Sequence, residues 1–339
     1  MNDFMLLSRD NFKSEDGQRF SSMGKEYMLR GKIGDGAIGV VRKAKDIKSD
    51  KTVAVKFLAP ELRYIDQSSL EDIRKRFINE GKRGINLDHS NLVEIISYED
   101  NSGARCFKET YPANPFIIME YIPGITLESL IRKLEKETTN NDVTEQKLNI
   151  ACGILSALVY LHSKKLIHRD VKPANIFISK VRPYQIPEVV KLGDFGIVKW
   201  GDFKEELATG TFTHTFQKGL GTIKYMAPEQ ALNPKFVTVK ADIHSLGATL
   251  FELFTGRILP TVFHVNLIRE VRTKRGNTMS RLRELGVKVN LGSPTEDILE
   301  LILDMFLAQT GRPSSSKTLK CLEYLSESFF PDRQWSYCG

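Results

Sequence analysis

The character of the sequence changes at Pro123-Gly124, and this change limits the fold more than any other feature. Before it, three segments rich in β-branched and aromatic residues follow one another, EYMLRGKIGDG, GVVRKAKD and TVAVKFL. A helical stretch at residues 68–87 and strand candidates at residues 92–98 and 115–121 complete this half. After it, apolar residues recur mostly at helical spacing. The chain therefore predicts an α+β fold with a small strand-rich part and a larger helical part.

A length of 339 residues suits two compact parts. With a leader before them and a tail after them, the chain divides into four segments. Residues 1–25 are polar and lack periodicity, so they are expected to form a flexible or loosely docked leader. The strand-rich part takes residues 26–122, and the helical part takes residues 123–327. Residues 328–339 form an aromatic tail, which predicts docking onto the protein body or onto a partner.

The cysteines and the hydropathy pattern indicate a cytoplasmic protein. The four cysteines are widely separated and form no C-x-x-C pair, which argues against a disulfide framework and a zinc site. No segment reaches the roughly 18 to 20 consecutive apolar residues that span a bilayer. The first residues lack the basic start and the apolar run of a signal peptide.

The net charge of +7 raises the question of nucleic acid as a partner. Basic residues concentrate within an insertion-like stretch at residues 257–292. No aromatic residues interleave with them and no nucleic-acid motif accompanies them, which argues against such a partner. A solvated helical face is the favoured interpretation, with a docking surface for an acidic protein as the second.

The strongest chemical signal is the segment HRDVKPAN at residues 168–175. It follows an apolar helix, so Asp170 is expected in a loop where it can accept a hydroxyl proton and orient the hydroxyl for attack. Lys172 can reach a transferred phosphoryl group and offset its charge. Asn175 supplies an oxygen of the hard type that magnesium prefers. A base, a cation and a metal ligand within six residues predict phosphoryl transfer.

Three weaker signals precede and follow this loop. Gly34, Gly36 and Gly39 lie between two strands, where a hairpin free of side chains lets backbone N–H groups approach phosphates. Lys56 lies inside the apolar strand VAVK, and Glu80 on the following helix is the candidate partner for its ammonium group. The tripeptides Asp194-Phe195-Gly196 and Ala227-Pro228-Glu229 come later, and Asp242 opens a long apolar helix.

The order and spacing of GDGAIGVV, VAVK, Glu80, HRDVKPAN, DFG and APE resemble the eukaryotic-type (Hanks) protein kinases, and the likeness covers about residues 26–325. The run RFINEGKRG and the MAPEQ ending are similar to bacterial members. The resemblance implies a bilobal kinase fold, with a small antiparallel sheet lobe that carries one main helix and a larger, mainly helical lobe. It also implies ATP and Mg²⁺ as cofactors, with Mn²⁺ as the alternative ion.

The same resemblance assigns roles to residues. ATP would be contacted by Gly34, Gly36, Gly39, Val41, Ala54, Lys56, Met119, Glu120 and Ile122, with Glu80 locking Lys56 in place. Asp170 would be the catalytic base assisted by Lys172, while Asn175 and Asp194 would hold the metal ions. Structural roles would fall to Asp242 and to a pair formed by Glu229 and Arg312.

Two features of the resemblance concern substrate and control. Lys172 and Thr222 follow the serine/threonine pattern, so protein Ser and Thr hydroxyls are the implied acceptors. Arg169 precedes the base, which is typical of kinases controlled by phosphorylation between DFG and APE. Thr213 and Thr215 are the predicted autophosphorylation sites in that segment. With no sensor or anchor segment recognised, an activating partner or a homodimer is expected to regulate the enzyme.

The chain departs from the family at Gly84, where a bulky apolar residue is usual, and Gly81 adds a second glycine to the same helix. Each costs roughly 1 kcal/mol relative to alanine. The pair between Lys56 and Glu80 is therefore expected to be weakly preset. This departure keeps open an inactive kinase-fold scaffold as the alternative. A small-molecule kinase is less compatible, because the segment GTIKYMAPE is typical of enzymes that position a peptide.

Overall fold

The structure is a computed structural model that describes residues 16–35, 39–58, 67–100, 115–134, 141–179, 187–194, 198–199, 224–232, 237–258, 293–306 and 311–329. The described residues form two compact units. The first contains those up to Asp88 together with residues 93–121, and the second contains residues 89–92 and those from Ile122 onward.

An antiparallel sheet of six strands builds the first unit, in the order β1-β2-β3-β4-β6-β5. The strands are β1 (Arg19–Ser22), β2 (Lys25–Asp35), β3 (Gly39–Asp46), β4 (Thr52–Leu58), β5 (Ile95–Glu99) and β6 (Phe116–Glu120). One helix, α1 (Gln67–Gly84), packs against β5. The predicted small antiparallel sheet with one main helix is confirmed. The helix ends three residues earlier than predicted, and β5 begins three residues later.

The end of the predicted leader belongs to this sheet. Strand β1 pairs with β2, and Phe20 packs in the core against Tyr27 and Phe116, with ring centroids 5.3 Å away in both contacts. Ser22 donates a hydrogen bond to a carboxylate oxygen of Glu99 at 2.8 Å. The expectation of a loose leader is therefore wrong for residues 19–25, because pairing with β2 and the burial of one aromatic side chain, Phe20, are enough to hold this short strand in the sheet. Residues 1–15 lie outside the described part.

The two glycines of α1 have a packing role that the sequence concealed. A Cβ atom on Gly84 would lie 2.2 Å from Cδ1 of Ile95, and one on Gly81 would lie 2.6 Å from Cβ of Tyr98. Both neighbours belong to β5, so the glycines let the helix backbone approach the sheet closely. A larger residue at either position would force its neighbour on β5 to shift.

Replacing Gly84 by Ala tests this close contact, because helix propensity and packing predict opposite signs. At the last residue of α1, helix propensity alone would add at most about 1 kcal/mol of stability. We expect instead that the free energy of unfolding falls by about 1–3 kcal/mol, since the new methyl overlaps Ile95. Adding Ile95→Val removes the overlapping Cδ1 atom and should recover part of the loss. Denaturant unfolding measures both, with Gly31→Ala as the control because an added Cβ there meets nothing within 4 Å. A stabilised Gly84→Ala protein would contradict the packing argument.

The second unit is larger and mainly helical, as predicted. Its helices are α2 (Leu127–Leu134), α3 (Asn141–Ser163), α4 (Pro228–Leu232), α5 (Lys240–Thr255), α6 (Ser293–Met305) and α7 (Ser315–Phe329). Its strands are β7 (Gly124–Thr126), β8 (Leu166–Ile167), β9 (Ile176–Ser179), β10 (Val189–Leu192) and β11 (Val198–Lys199). They form one antiparallel sheet in the order β10-β9-β7 and a separate antiparallel pair, β11-β8.

Helix α5 is the centre of this unit and is buried from Ala241 to Leu253. A helix that is buried on all sides must be surrounded by protein, and here α3 and α6 pack against it. His244 on α5 is fully buried in edge-to-face contact with Phe306, with 5.2 Å between ring centroids.

Among the described helices, none combines the length and apolar composition that a bilayer crossing requires. Of the basic stretch at residues 257–292, residues 259–292 lie outside the described part, as do residues 330–339 of the predicted aromatic tail.

Candidate active site

The loop that carries Asp170 is held at both ends by short strands. Strand β8, immediately before it, pairs with β11, and β9, immediately after it, pairs with both β10 and β7. A 3₁₀ turn at Pro173–Asn175 leads from the loop into β9. Proline at the start of this turn presets its backbone angle. The loop is therefore irregular in conformation but anchored on both sides.

Three of the predicted site residues meet within this loop. The ammonium group of Lys172 donates to Oδ2 of Asp170 at 2.8 Å. The side-chain amide of Asn175 donates to the same Oδ2 and to the backbone carbonyl of Asp170, both at 2.9 Å. The other carboxylate oxygen, Oδ1, is buried and accepts no hydrogen bond from the described residues. The Asp170 side chain is therefore held through one oxygen, and the other remains available as a proton acceptor.

A buried carboxylate, Asp242 on α5, supports the loop from below. Its two oxygens accept the backbone N–H groups of His168 and Arg169, each at 2.8 Å. His162 on α3 lies against the same carboxylate, with Nε2 2.9 Å from Oδ2. Burial raises the pKa of Asp242, but hydrogen bonds from the His162 side chain and the His168 backbone, together with electrostatic interactions with these two residues, outweigh burial and keep the pKa below its usual value. Asp242 is therefore a charged anchor for the backbone that precedes Asp170.

The ring of His168 is completely buried beside this anchor. Burial lowers the pKa of His168, although the carboxylates of Asp242, Asp170 and Asp194 act in the opposite direction. Its Nδ1 lies 3.3 Å from the backbone nitrogen of Asp170, so a neutral ring can accept that N–H. His168 therefore ties the backbone of Asp170 to the protein interior.

Asp194 is brought next to Asn175 by the backbone. The N–H of Gly193 donates to the carbonyl of Asn175 at 2.9 Å, at the end of β10. Asp194 follows with a positive φ of 61° and an exposed side chain. Phe195 and Gly196 lie outside the described residues. Asp194 and Asn175 thus supply two oxygen-bearing side chains at the edge of the same loop.

These oxygens fit a hard divalent cation. In the described part of the chain, no group of three or more His, Cys, Asp or Glu side chains is placed to hold a metal ion. Magnesium does not need such a group, because it usually binds one or two carboxylates and takes its other ligands from water and substrate phosphates. The donor set of Asn175 and Asp194 is therefore compatible with the predicted ion.

In the first unit the predicted ion pair is formed. The ammonium group of Lys56 donates to both carboxylate oxygens of Glu80, at 2.9 and 3.1 Å, and both side chains are largely buried. The two glycines from which a weakly preset pair was predicted both lie close to side chains of β5, and how firmly the pair is held stays a prediction.

The other predicted nucleotide-contacting residues of this unit lie on adjacent strands. Val41 pairs with Gly34 on one side and with Lys56 on the other, and Ala54 pairs with Met119. Gly39 has no room for a side chain, because a Cβ atom would lie 2.7 Å from the carbonyl oxygen of Phe57.

Glu120 ends β6, and its carboxylate accepts the N–H of Glu94 at 2.7 Å. Ile122 belongs to the second unit. Gly36, Thr213, Thr215 and Thr222 lie outside the described residues.

The predicted brace between Glu229 and Arg312 is also present. The two terminal nitrogens of the Arg312 guanidinium group, Nη1 and Nη2, donate to the carboxylate of Glu229, with Nη2 3.0 Å from Oε2. The Arg312 side chain is buried. This bidentate pair anchors the short helix α4.

A second buried contact nearby was missed from the sequence. The hydroxyl of Tyr225 donates to the Glu252 carboxylate at 2.6 Å, and burial raises the pKa of Tyr225. A charged residue inside the otherwise apolar segment ATLFELFTG was the available signal.

The profile of the protein kinase domain matches residues 27–325 of the chain. The chain belongs to this family. The kinase domain is 35% identical over 243 residues to the serine/threonine-protein kinase PrkC of Bacillus subtilis, an alignment that covers 71% of the chain and 32% of PrkC. It is 34% identical over 242 residues to a probable serine/threonine-protein kinase, PknB, of Bifidobacterium longum, covering 69% of the chain and 31% of that protein. The predicted similarity to bacterial members is confirmed.

A solved structure with the same fold is that of the Mycobacterium tuberculosis PknI kinase domain, a C20A_R136A double mutant. The TM-score between the two structures is 0.59, and their sequences are 20% identical. The match covers 95% of this chain and 100% of the PknI kinase domain. The bilobal kinase fold predicted from the motifs is confirmed. The part of the chain that aligns with these two curated relatives spans about a third of the length of each. Members of the family use ATP and a divalent metal ion.

Proposed function

We propose that this chain is an ATP-dependent serine/threonine protein kinase in which Asp170 is the catalytic base. The observation that carries the proposal is the cluster of Asp170, Lys172 and Asn175, held together by three hydrogen bonds of 2.8–2.9 Å. A carboxylate fixed through one oxygen, with the other oxygen buried and accepting nothing from the described residues, is suited to receive a hydroxyl proton. The names of the relatives support serine and threonine as acceptors.

In the proposed reaction Asp170 orients the substrate hydroxyl and accepts its proton as the oxygen attacks the γ-phosphorus of ATP. The bond from that phosphorus to the β,γ-bridging oxygen breaks, and ADP leaves. Lys172, 2.8 Å from Asp170, is close enough to the attacking group to offset charge on the transferred phosphoryl. The fixed geometry of the loop supplies orientation that a free carboxylate would lack.

The nucleotide-binding roles are proposed residue by residue. Lys56 would bind the α- and β-phosphates, since its ammonium group is already oriented by Glu80. The backbone around Gly34, Gly36 and Gly39 would approach the phosphates. The base of the nucleotide would be contacted by Val41, Ala54, Met119, Glu120 and Ile122.

We propose Mg²⁺ as the metal ion, with Mn²⁺ as the alternative, held by Asn175 and Asp194. The bound ion would neutralise negative charge on the phosphates of ATP. The side-chain N–H₂ group of Asn175 donates to Asp170, which leaves Oδ1 of Asn175 as the atom that would bind the ion.

The proposed lobes are residues 26–122 and 123–327, preceded by residues 1–25 and followed by residues 328–339. The scattered cysteines support a reducing location such as the cytoplasm.

Control by phosphorylation is part of the proposal. A phosphate on Thr213 or Thr215 would carry close to two negative charges and could pair with Arg169. Thr222 would contribute to placing the acceptor residue. An activating partner or a homodimer would regulate the enzyme.

Phosphoryl transfer from labelled ATP tests the function. We expect Mg²⁺-dependent labelling of a generic basic protein and of the chain itself, and acid hydrolysis should release phosphoserine and phosphothreonine without phosphotyrosine. Mass-spectrometric mapping of the self-labelled chain should find Thr213 or Thr215. Absence of labelling with either Mg²⁺ or Mn²⁺ would contradict the kinase proposal. Labelling at other positions alone would contradict only the predicted control sites.

A further inference from the structure

Arg169, the residue before the proposed base, has a backbone conformation that needs support. Its φ is 68°, in the left-handed region that residues with a side chain rarely adopt. Such a conformation persists only where the surroundings hold it, and here it determines the direction in which the chain enters Asp170. The groups that hold this backbone therefore determine where the Asp170 carboxylate points.

The peptide between Arg169 and Asp170 is held on both of its polar atoms. Its N–H, from Asp170, faces Nδ1 of His168 at 3.3 Å. Its carbonyl oxygen, from Arg169, accepts a hydrogen bond from Nε2 of Gln230 at 3.2 Å. Asp242 holds the peptide before it through the Arg169 N–H. Gln230 is thus the side chain that fixes the carbonyl of the peptide leading into the base.

Gln230 is suited to this role because its own position is fixed. It lies on α4 and is only 4% exposed, and its Oε1 accepts the N–H of Ala227, with 3.4 Å between nitrogen and oxygen. That contact turns the amide so that its N–H₂ group faces Arg169. The neighbouring residue on α4, Glu229, is anchored by the bidentate pair with Arg312. A buried amide with both ends in use is a rigid connection.

We infer that Gln230 is a positioning residue for Asp170, which makes phosphoryl transfer depend on how α4 is seated against the catalytic loop. This inference rests on the proposed function of Asp170. It adds a direct hydrogen bond between α4 and the backbone that leads into Asp170. Helix α4 follows the segment around Thr222, which is proposed to place the acceptor residue. Displacement of α4 would release the carbonyl of Arg169 and let the peptide rotate.

Two substitutions separate this role from simple packing. Gln230→Met keeps the length and burial of the side chain but removes the donor. We expect kcat to fall about ten-fold, the order of one lost hydrogen bond, while KM for ATP and for the protein substrate changes by less than about two-fold. Gln230→Glu retains the acceptor for Ala227 but points a carboxylate oxygen at the carbonyl of Arg169. Its kcat should fall further than that of Gln230→Met, because two oxygens then repel each other.

Gln146→Met is the matched control, since Gln146 is a glutamine on α3 that is 2% exposed. All variants are compared at equal concentrations of folded protein, measured by thermal unfolding and by nucleotide binding. A wild-type kcat in Gln230→Met, or an equal loss in Gln146→Met, would overturn the inference. Asp170→Asn is assayed alongside. If Asp170→Asn is inactive and Gln230→Met is normal, only the positioning role fails; if Asp170→Asn is active, the proposed base itself fails.

Discussion

Asp170→Asn is expected to lower kcat by about 10²–10⁴-fold, the range that a positioned general base contributes. Asparagine keeps the size of the side chain but cannot take the hydroxyl proton. It also removes the charge that holds Lys172 at 2.8 Å. The measurement is steady-state transfer from ATP to a protein substrate, with ATP binding determined separately. Because the Lys56–Glu80 pair and the proposed adenine-contacting residues are untouched, ATP affinity should change little.

Stability separates the chemical effect from misfolding. The Asp170 side chain is partly exposed, so we expect its substitution to change the free energy of unfolding by less than about 1 kcal/mol. Asp304→Asn, on an exposed position of α6, is the matched control and should retain wild-type activity. Near wild-type turnover in Asp170→Asn would show that another group takes the proton, and the proposed mechanism would be wrong.

Asp242→Ala is expected to have the largest effect on stability. The substitution leaves the N–H groups of His168 and Arg169, and Nε2 of His162, without their buried acceptor. Breaking a buried charged cluster of this kind costs about 3–5 kcal/mol. Denaturant unfolding of the second unit measures the loss. Asp242→Asn keeps the shape and one acceptor, so it should retain a measurable folded state even if Asp242→Ala does not.

The contribution of Asp242 also has a predicted pH dependence. Its pKa is lowered in the folded protein, so the unfolded chain binds the proton more tightly. The stabilisation is therefore fully present above the ordinary aspartate pKa of about 3.9 and is lost as the pH falls through the lower folded value. The difference in stability between wild type and Asp242→Asn should shrink in that acid range. If this difference stays constant down to the pH at which acid unfolds the protein, the assignment is contradicted. Asp304→Ala is the control for Asp242→Ala and should change the free energy of unfolding by less than about 0.5 kcal/mol.

The candidate site was predictable from the sequence where its residues are close together in the chain. Asp170, Lys172 and Asn175 lie within six residues, so a loop of any compact form brings them near each other, and the structure places them within hydrogen-bond distance. The pair of Lys56 and Glu80 was predictable because a lysine inside an apolar strand requires a partner. Strand β1 was missed because its single core residue, Phe20, gives no periodic signal.

The sequence alone was enough to recognise the family, since the order of the motifs is that of a protein kinase domain. Tertiary structure decided what no local pattern can encode, because contacts between distant residues depend on how closely elements approach. Gly84 weakens a helix by propensity but permits that helix to pack on β5. Asp242 is more than seventy residues from His168, and Gln230 is 61 residues from Arg169, yet both hold the backbone of one loop. The sequence indicates the candidate reacting groups, and burial and distance in the folded protein determine how firmly these groups are held.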